Sequence, residues 1–344
     1  MRAVRFARAG LLLAAASLAS LACARTITDI AGRVVELPET VSRVADPWHA
    51  NNAMVLMLGG ADRIVATSNQ AARQPWLRRL YPRIAEVPVA FNEAGDANIE
   101  TLAAAHPDVV LMAYGGGALP RWLAKTDALH IPVVLMPNTS LADLKVTALL
   151  TGDVLGGDSA KTAREFVRYF DANIARVERV TSAIPPADRV KVLHTASNGI
   201  FSIDGRETLV DDWIRVAGGV NAATVTGNVR TVGIEQILAW NPDVIIVGNS
   251  TNDAGRRQIL EDPRWREVKA VKEGRVYTNP VGAYLWDRHS AESALQVLWA
   301  AKTLYPARFA DLDIEKETRE FYARFFHHAL SAAELRSILE ANPP

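Results

Sequence analysis

Residues Asn98-Ile99-Glu100-Thr101-Leu102 lead into Pro107-Asp108-Val109-Val110-Leu111. Residues Gly233-Ile234-Glu235-Gln236-Ile237, 135 positions later, lead into Pro242-Asp243-Val244-Ile245-Ile246. Each copy reads as a short helix, a Pro-Asp turn and a buried apolar strand. A chain that writes this unit twice is constrained to two similar α/β lobes, and two lobes imply a cleft between them.

The rest of the chain fits that frame. Ile27 to Leu37 reads as a small hairpin turning at Thr28-Asp29 and Ala31-Gly32-Arg33. Strands are predicted at Arg43-Val44-Ala45, Ile64-Val65-Ala66, Val109 to Ala113 and Pro132 to Met136, with a helix at Asn51 to Leu58. Alternation at this spacing predicts a parallel sheet with right-handed crossovers. Asp158 to Ile184 breaks the rhythm: Ala163, Phe166, Phe170, Ile174 and Val177 recur at steps of three and four, the stripe of one long amphipathic helix. Asp158 is its predicted N-cap and Pro185-Pro186 its stop. Strands resume at Val190 to His194, Ile200 to Ile203 and Gly274 to Tyr277. The end is helical, over Ala291 to Leu304 and over Glu315 to Leu339 with a break near Ser331. The expected divisions are a leader over 1–24, an N-terminal α/β lobe over 25–157, a linking helix over 158–184, and a C-terminal α/β lobe with a helical end over 185–344.

The leader follows from Arg2, Arg5 and Arg8, the apolar run Leu11 to Ala22, and the small residues Ala22-Cys23-Ala24, the pattern of a secretory signal peptide. The run is short of the ~20 residues a membrane-spanning helix needs, and no later segment is longer, so a water-soluble exported protein is expected. Cys23 is the single cysteine. It is either the lipidated first residue of a lipoprotein or is discarded by cleavage after Ala24; Ser20 suits the lipoprotein signal poorly, which favours cleavage. With no cysteine in the body, disulfides, thiolate metal ligands and cysteine nucleophiles are excluded. Loss of the leader leaves three more acids than bases, with no basic stripe for nucleic acid. The chain also lacks a phosphate-cradling glycine fingerprint, a nucleophile elbow and a His-Glu-x-x-His helix. A binding protein is therefore the leading reading over an enzyme on a similar scaffold. A ligand-sensing receptor domain would need a transmembrane or signalling segment.

The opening Ile27-Thr28-Asp29…Gly32-Arg33, the paired Ile-Glu…Pro-Asp-Val segments, and the linking helix resemble substrate-binding proteins of bacterial ABC importers. The likeness is to the branch that carries iron–siderophore complexes, haem and vitamin B12. Asp262-Pro263-Arg264-Trp265…Val268…Ala270 to Tyr277 and Leu298 to Pro306 match its second-lobe patterns. The resemblance implies two Rossmann-like lobes with central parallel sheets, joined by one long backbone α-helix, with the ligand cleft between the lobes. It implies a monomer in the periplasm, no cofactor and no metal of its own. The cargo would be a small-molecule metal chelate, ferric in the first instance, and the partners an ABC permease and its ATPase at the inner membrane. Haem, cobalamin, an oxyanion or a free zinc or manganese ion are the alternative cargoes. The family also docks one glutamate from each lobe into arginine pockets of the permease, which assigns that role to Glu100 and Glu235; Glu93 and Asp96 lie near the first. Each is equally a first-turn acid favoured by its helix dipole.

Ligands of open α/β sheets sit beyond the carboxyl ends of the strands. That rule points to Trp48-His49, Ser68 to Gln70, Tyr114 to Gly117 and Asn138, then to Thr195 to Asn198, Arg230, Asn249 and Tyr284 to Arg288. Trp48, Tyr114, Arg230, Tyr284, Trp286 and Arg288 are the expected ligand contacts, aromatic faces and guanidinium groups suiting a bulky, flat or anionic chelate. The competing reading makes Trp286 a core residue, with Arg288 paired to Asp287 or Glu292. His49, His194 and His289 each fall near a strand end, so a three-histidine site for a bare metal ion is a further alternative.

Overall fold

The computed structural model describes residues 24–91, 97–115, 119–196 and 199–344. Residues 1–23 of the expected leader, with Cys23, and Glu93, Asp96, Gly116-Gly117 and Ser197-Asn198 lie outside them.

Strands β1 (Ala24–Thr28) and β2 (Val34–Pro38) form the hairpin. Its Asp29 organises the turn: Oδ1 accepts from the Ala31 and Arg33 amides and Oδ2 from the Arg33 guanidinium. Arg33 also donates to the Val133 carbonyl, which fastens the hairpin to the first sheet. That sheet contains β3 (Val44–Asp46), β4 (Ile64–Ser68), β5 (Val89–Phe91), β6 (Val109–Ala113) and β7 (Val133–Met136) in the order β5-β4-β3-β6-β7, all parallel.

The second sheet has β8 (Lys191–Thr195), β9 (Ser202–Ile203), β10 (Val220–Asn221), β11 (Arg230–Thr231), β12 (Val244–Val247) and β13 (Val276–Thr278). Its order is β11-β9-β8-β12-β13, with β10 also on β8. Strands β8, β10, β12 and β13 are parallel, whereas β9 pairs antiparallel with both β8 and β11, so this sheet is mixed. The reversed β9 lies inside the strand expected at Ile200 to Ile203, while its partner β11, two residues long, is too short to print a period in the sequence.

The helices that matter to the site are α1 (His49–Met57), α2 (Ile99–Ala104), α3 (Leu141–Leu155), α4 (Gly157–Thr181), α5 (Leu209–Val216), α6 (Ile234–Trp240), α7 (Ser293–Leu304), α8 (Ile314–Phe325) and α9 (Ala332–Leu339). Helix α4 is the long amphipathic helix. Its Ala163, Phe166, Phe170 and Val177 are fully buried, while Ile174 is only partly so. Gly156, at φ 71°, is its N-cap; the predicted cap, Asp158, instead sits exposed in the first turn, pairing with Lys161. Helices α3 and α4 approach closely because Gly152 has no side chain: a Cβ there would stand 2.5 Å from that of Ala163.

The repeated Pro-Asp turn has one structural job in both copies. The Asp108 carboxylate accepts from the Arg43 amide at 2.9 Å, and the Asp108 amide donates to the Arg43 carbonyl. Asp243 does the same with Lys191, at 2.8 Å in both directions. In each sheet this Asp clips the start of the neighbouring strand, β3 or β8, which sets the parallel register.

The inner faces of both sheets share one continuous apolar core. Val44, Val109 and Met136 from the first, Val192, Val244 and Ile246 from the second, and Phe166 and Phe170 from α4 belong to the same cluster. Burial at about 25 cal/mol per Å² of apolar area makes separating such faces expensive, so this architecture resists wide opening of the lobes.

Candidate functional site

The two sheets present their carboxyl ends to a cleft of about 180 Å³. Trp48, His49, Ala50 and Asn138 come from the first sheet's loops. Leu209, Val210, Asn228, Tyr284, Asp287, Arg288 and His289 come from the second's. A notch of about 30 Å³ lined by Gln70, Gln74 and Asn249 adjoins it through His49 and Tyr284. Two larger grooves, of about 550 and 610 Å³, lie elsewhere. Each is drawn from one side of the molecule, around His130 and around Trp299. The smaller cleft is the candidate site because polar groups from both sheets converge there.

Its first wall is built on Asp46. This buried carboxylate accepts from the Trp48 amide at 3.1 Å and from the Asn51 side chain at 3.1 Å, while Asn52 bonds the Asp46 carbonyl. Burial pushes its pKa well up, against those hydrogen bonds. The turn so fixed delivers Trp48 and His49 to the cleft as the cap and first residue of α1. No side chain caps α1, and α5 also enters the cleft by its first two residues. First-turn amides have no intrahelical acceptor and carry the positive end of the helix dipole, so the α1 side of the cleft favours an anion. Helix α5, by contrast, is capped by Thr208 and carries Asp211 and Asp212 in its first turn.

Its second wall is a buried charge network. Arg288 pairs with Asp204 at 2.7 Å; Asp204 also binds His194 Nδ1 at 2.9 Å, and Asp287 binds His194 Nε2 at 2.8 Å. Burial disfavours the His194 cation, but the two aspartates outweigh it and raise its pKa. Burial likewise works against ionised Asp204, and His194 and Arg288 overcome it, leaving that pKa depressed. Two carboxylates, an imidazole and a guanidinium are thus joined in one buried network. Asp204 Oδ1 accepts from the Val229 amide, which holds the loop bearing Asn228. The remaining cleft groups are uncharged near neutrality: burial lowers His49 to about 4 and His289 to about 3, and raises Tyr284.

The structure brings together Trp48, Tyr284 and Arg288 of the six expected contacts. Trp48 packs in a tilted contact against His289 at 4.7 Å, and Tyr284 against His49 at 5.2 Å. Trp286 is fully buried in the shared core, so it offers no flat surface to a ligand; the Ser293 hydroxyl bonds its carbonyl. Its neighbour Arg288 pairs with Asp204 at 2.7 Å and lies 4.0 Å from Asp287, one of the two partners the competing reading gave it; Glu292 is not a partner. Tyr114 is 48% exposed at the end of β6 and is not among the residues lining the cleft. Arg230 is exposed on β11, bonded to the Thr226 carbonyl; Asn228, two residues earlier, is the one that reaches the cleft. Of the three histidines, His49 and His289 line the cleft, while His194 has both nitrogens engaged by aspartates beneath it. Among the described residues no group of three His, Cys, Asp or Glu side chains is arranged to hold a metal ion. Glu100 and Glu235 are exposed in the first turns of α2 and α6.

Sequence reasoning missed Asp204, Asn228 and the first turn of α5. Asp204 follows a two-residue strand, and nothing in Ser202-Ile203-Asp204-Gly205 marks it as the hub of a charge network.

Two open α/β sheets bridged by a long helix, with a polar cleft at their carboxyl ends, define a solute-binding protein. The family model for periplasmic binding proteins matches residues 49–281, and the chain belongs to that family. It is 29% identical over 335 residues to the molybdate-binding protein MolA of Haemophilus influenzae, covering 92% of this chain and 94% of that protein. The molybdate-bound structure of MolA superposes with a TM-score of 0.79 over 89% of this chain and 99% of that chain, at 24% identity. The Fe(3+) dicitrate-binding periplasmic protein FecB of Escherichia coli is 24% identical over 298 residues, 83% of this chain and 90% of that one. A periplasmic solute-binding protein from Veillonella parvula superposes with a TM-score of 0.80 at 27% identity, covering 92% and 97% of the two chains. No described helix is long and apolar enough to cross a membrane.

Proposed function

We propose that this chain is the periplasmic capture component of an ABC importer, and that its cargo is a compact oxyanion of the molybdate type. The observation that carries the choice of cargo is the cleft itself. At about 180 Å³ it falls below the roughly 300–1,000 Å³ of sites for drug-sized ligands, while Arg288 and the uncapped first turn of α1 supply donors an anion needs. The molybdate relative supports the same class. The protein would bind and release its cargo unchanged, delivering it from the periplasm to the permease and its ATPase, with Glu100 and Glu235 as the docking acids.

A second reading keeps the ferric chelate expected from the sequence. It draws on the ferric dicitrate relative and requires the lobes to part enough to admit a larger anion. Calorimetric titration of residues 25–344 with molybdate, tungstate, sulfate, ferric citrate and a ferric hydroxamate separates the two. Saturable binding of molybdate or tungstate with no heat from the iron complexes is the expected result. Binding of an iron chelate alone transfers the assignment to the second reading, and silence across the panel defeats both.

A further inference from the structure

His289 is an anomaly among the cleft residues. It is 9% exposed, yet neither Nδ1 nor Nε2 has a hydrogen-bond partner among the described residues. Buried polar atoms are almost always paired, and an exception calls for a reason. The ring is not loose: it lies against Trp48 with centroids 4.7 Å apart and planes 35° apart. Trp48 is itself held by the Asp46 turn. Arg288 is paired with Asp204, and Asp287 binds His194 through Oδ2 and leaves Oδ1 without a partner. Among the described cleft residues, His289 is the buried side chain whose polar atoms are all without a partner and which can offer a donor; the unpaired Asp287 Oδ1 can only accept.

We propose that His289 is a direct contact to the cargo, donating its ring N–H to a cargo oxygen while Trp48 holds the ring plane. This rests on the oxyanion reading above and adds a specificity-setting residue to it. Burial keeps the imidazole neutral near pH 7, with Asp143 the one charged group pulling the other way. The ring therefore supplies a donor without adding charge, alongside Arg288 and the first-turn amides of α1. A neutral imidazole has one N–H and one lone pair; the N–H suits an oxyanion oxygen, and the second nitrogen is left for water or a protonated site on the cargo.

The test replaces the nitrogens while keeping the ring. His289→Phe retains an aromatic face for Trp48 and removes two unpaired polar atoms from a buried position. Its unliganded melting temperature should equal or exceed that of the parent, whereas its affinity for molybdate by calorimetry should fall at least tenfold. His289→Gln, which restores an N–H donor, should recover part of the loss. His289→Phe binding within twofold of the parent overturns the contact and leaves an ordered water as the partner of the ring. If ferric citrate is the sole ligand and His289→Phe loses it, the contact stands and the oxyanion reading falls. A parent that binds none of the anions overturns both together.

Discussion

One carboxylate oxygen of Asp204 lies 2.7 Å from the Arg288 guanidinium and 2.9 Å from His194 Nδ1, and the side chain has no solvent exposure. A residue out of reach of any ligand thus aims the cation that faces the ligand. Through its other oxygen it fixes the Val229 amide, and with it the loop of Asn228. Asp204→Asn keeps the shape and removes the charge. Breaking a buried ion pair on one side costs roughly 3–5 kcal/mol, and the amide retains an acceptor, so a loss of about 3 kcal/mol in urea unfolding is expected. Anion affinity should drop at least tenfold, about 1.4 kcal/mol. A variant that is less stable yet binds normally would show that Arg288 finds its place without Asp204.

The same network sets a pH dependence. His194 has a folded pKa above its usual value of about 6.5, so its contribution to stability is complete below that value. It is lost as pH rises through the folded pKa. Asp204 works in the opposite sense: its depressed pKa gives stability above about pH 4 that fades on acidification. Urea midpoints should fall from pH 6.5 towards the alkaline side, and anion affinity should fall with them as the network loses a positive charge. His194→Gln should flatten both profiles. Persistence of the slope in that variant would place its origin in another group.

A second buried carboxylate shapes the loop that carries Tyr284, Arg288 and His289. Glu292 accepts from the Ala283 and Tyr284 amides at 2.7 and 3.0 Å, from the Ser290 hydroxyl at 3.0 Å, and from Tyr322. Gly282 is obligatory beside it, because a Cβ would stand 1.9 Å from the Tyr322 oxygen and 2.1 Å from a Glu292 oxygen. Burial pushes the Glu292 pKa up to about 7 despite its four donors. Between its unfolded value near 4.3 and about 7, the folded state holds the extra proton, so this group makes stability fall as pH rises and then level off. Glu292→Gln turns an amide N–H towards donors and should lose about 2 kcal/mol together with that slope. Gly282→Ala should displace the loop and weaken binding at least tenfold even where the protein folds. Normal affinity in Gly282→Ala would separate the loop from the site.

How much of this was legible beforehand follows from the length of each signal. The repeat named β6 and β12 with their preceding helices, because a buried strand of four or five apolar residues after Pro-Asp prints plainly. The stripe on α4 was equally plain over twenty-five residues. Helix ends were less so: Asp158 was read as a cap, but a glycine at positive φ takes that position. At the cleft, chain position located Trp48, Tyr284 and Arg288, since loops at strand ends are where ligands sit. It could not say which way Trp286 points. An aromatic two residues from a cleft contact serves core or ligand with equal local chemistry, and only the packing of Tyr284 to Ala291 around Glu292 buries it. Asp204, Asn228 and the first turn of α5 act through partners remote in sequence, which no local pattern records.

Glu100 and Glu235 carry the last prediction. They occupy matching places in the two repeats, each exposed in a helix first turn, and neither has an ion-pair partner among the described residues within 4.0 Å. An exposed acid gains little by staying at a helix start, some 0.3–1 kcal/mol from the dipole, so its loss should leave folding and cargo binding intact. Docking is a different matter, since charge complementarity governs encounter and register between protein surfaces. Glu100→Gln and Glu235→Gln, singly and together, should keep anion affinity within twofold of the parent. Uptake by cells carrying the importer should fall at least tenfold in the double variant, and parent uptake should weaken with ionic strength. Weakened anion binding in either variant would move that glutamate from the docking surface to the cleft, and undiminished uptake in the double variant would remove the docking role from both.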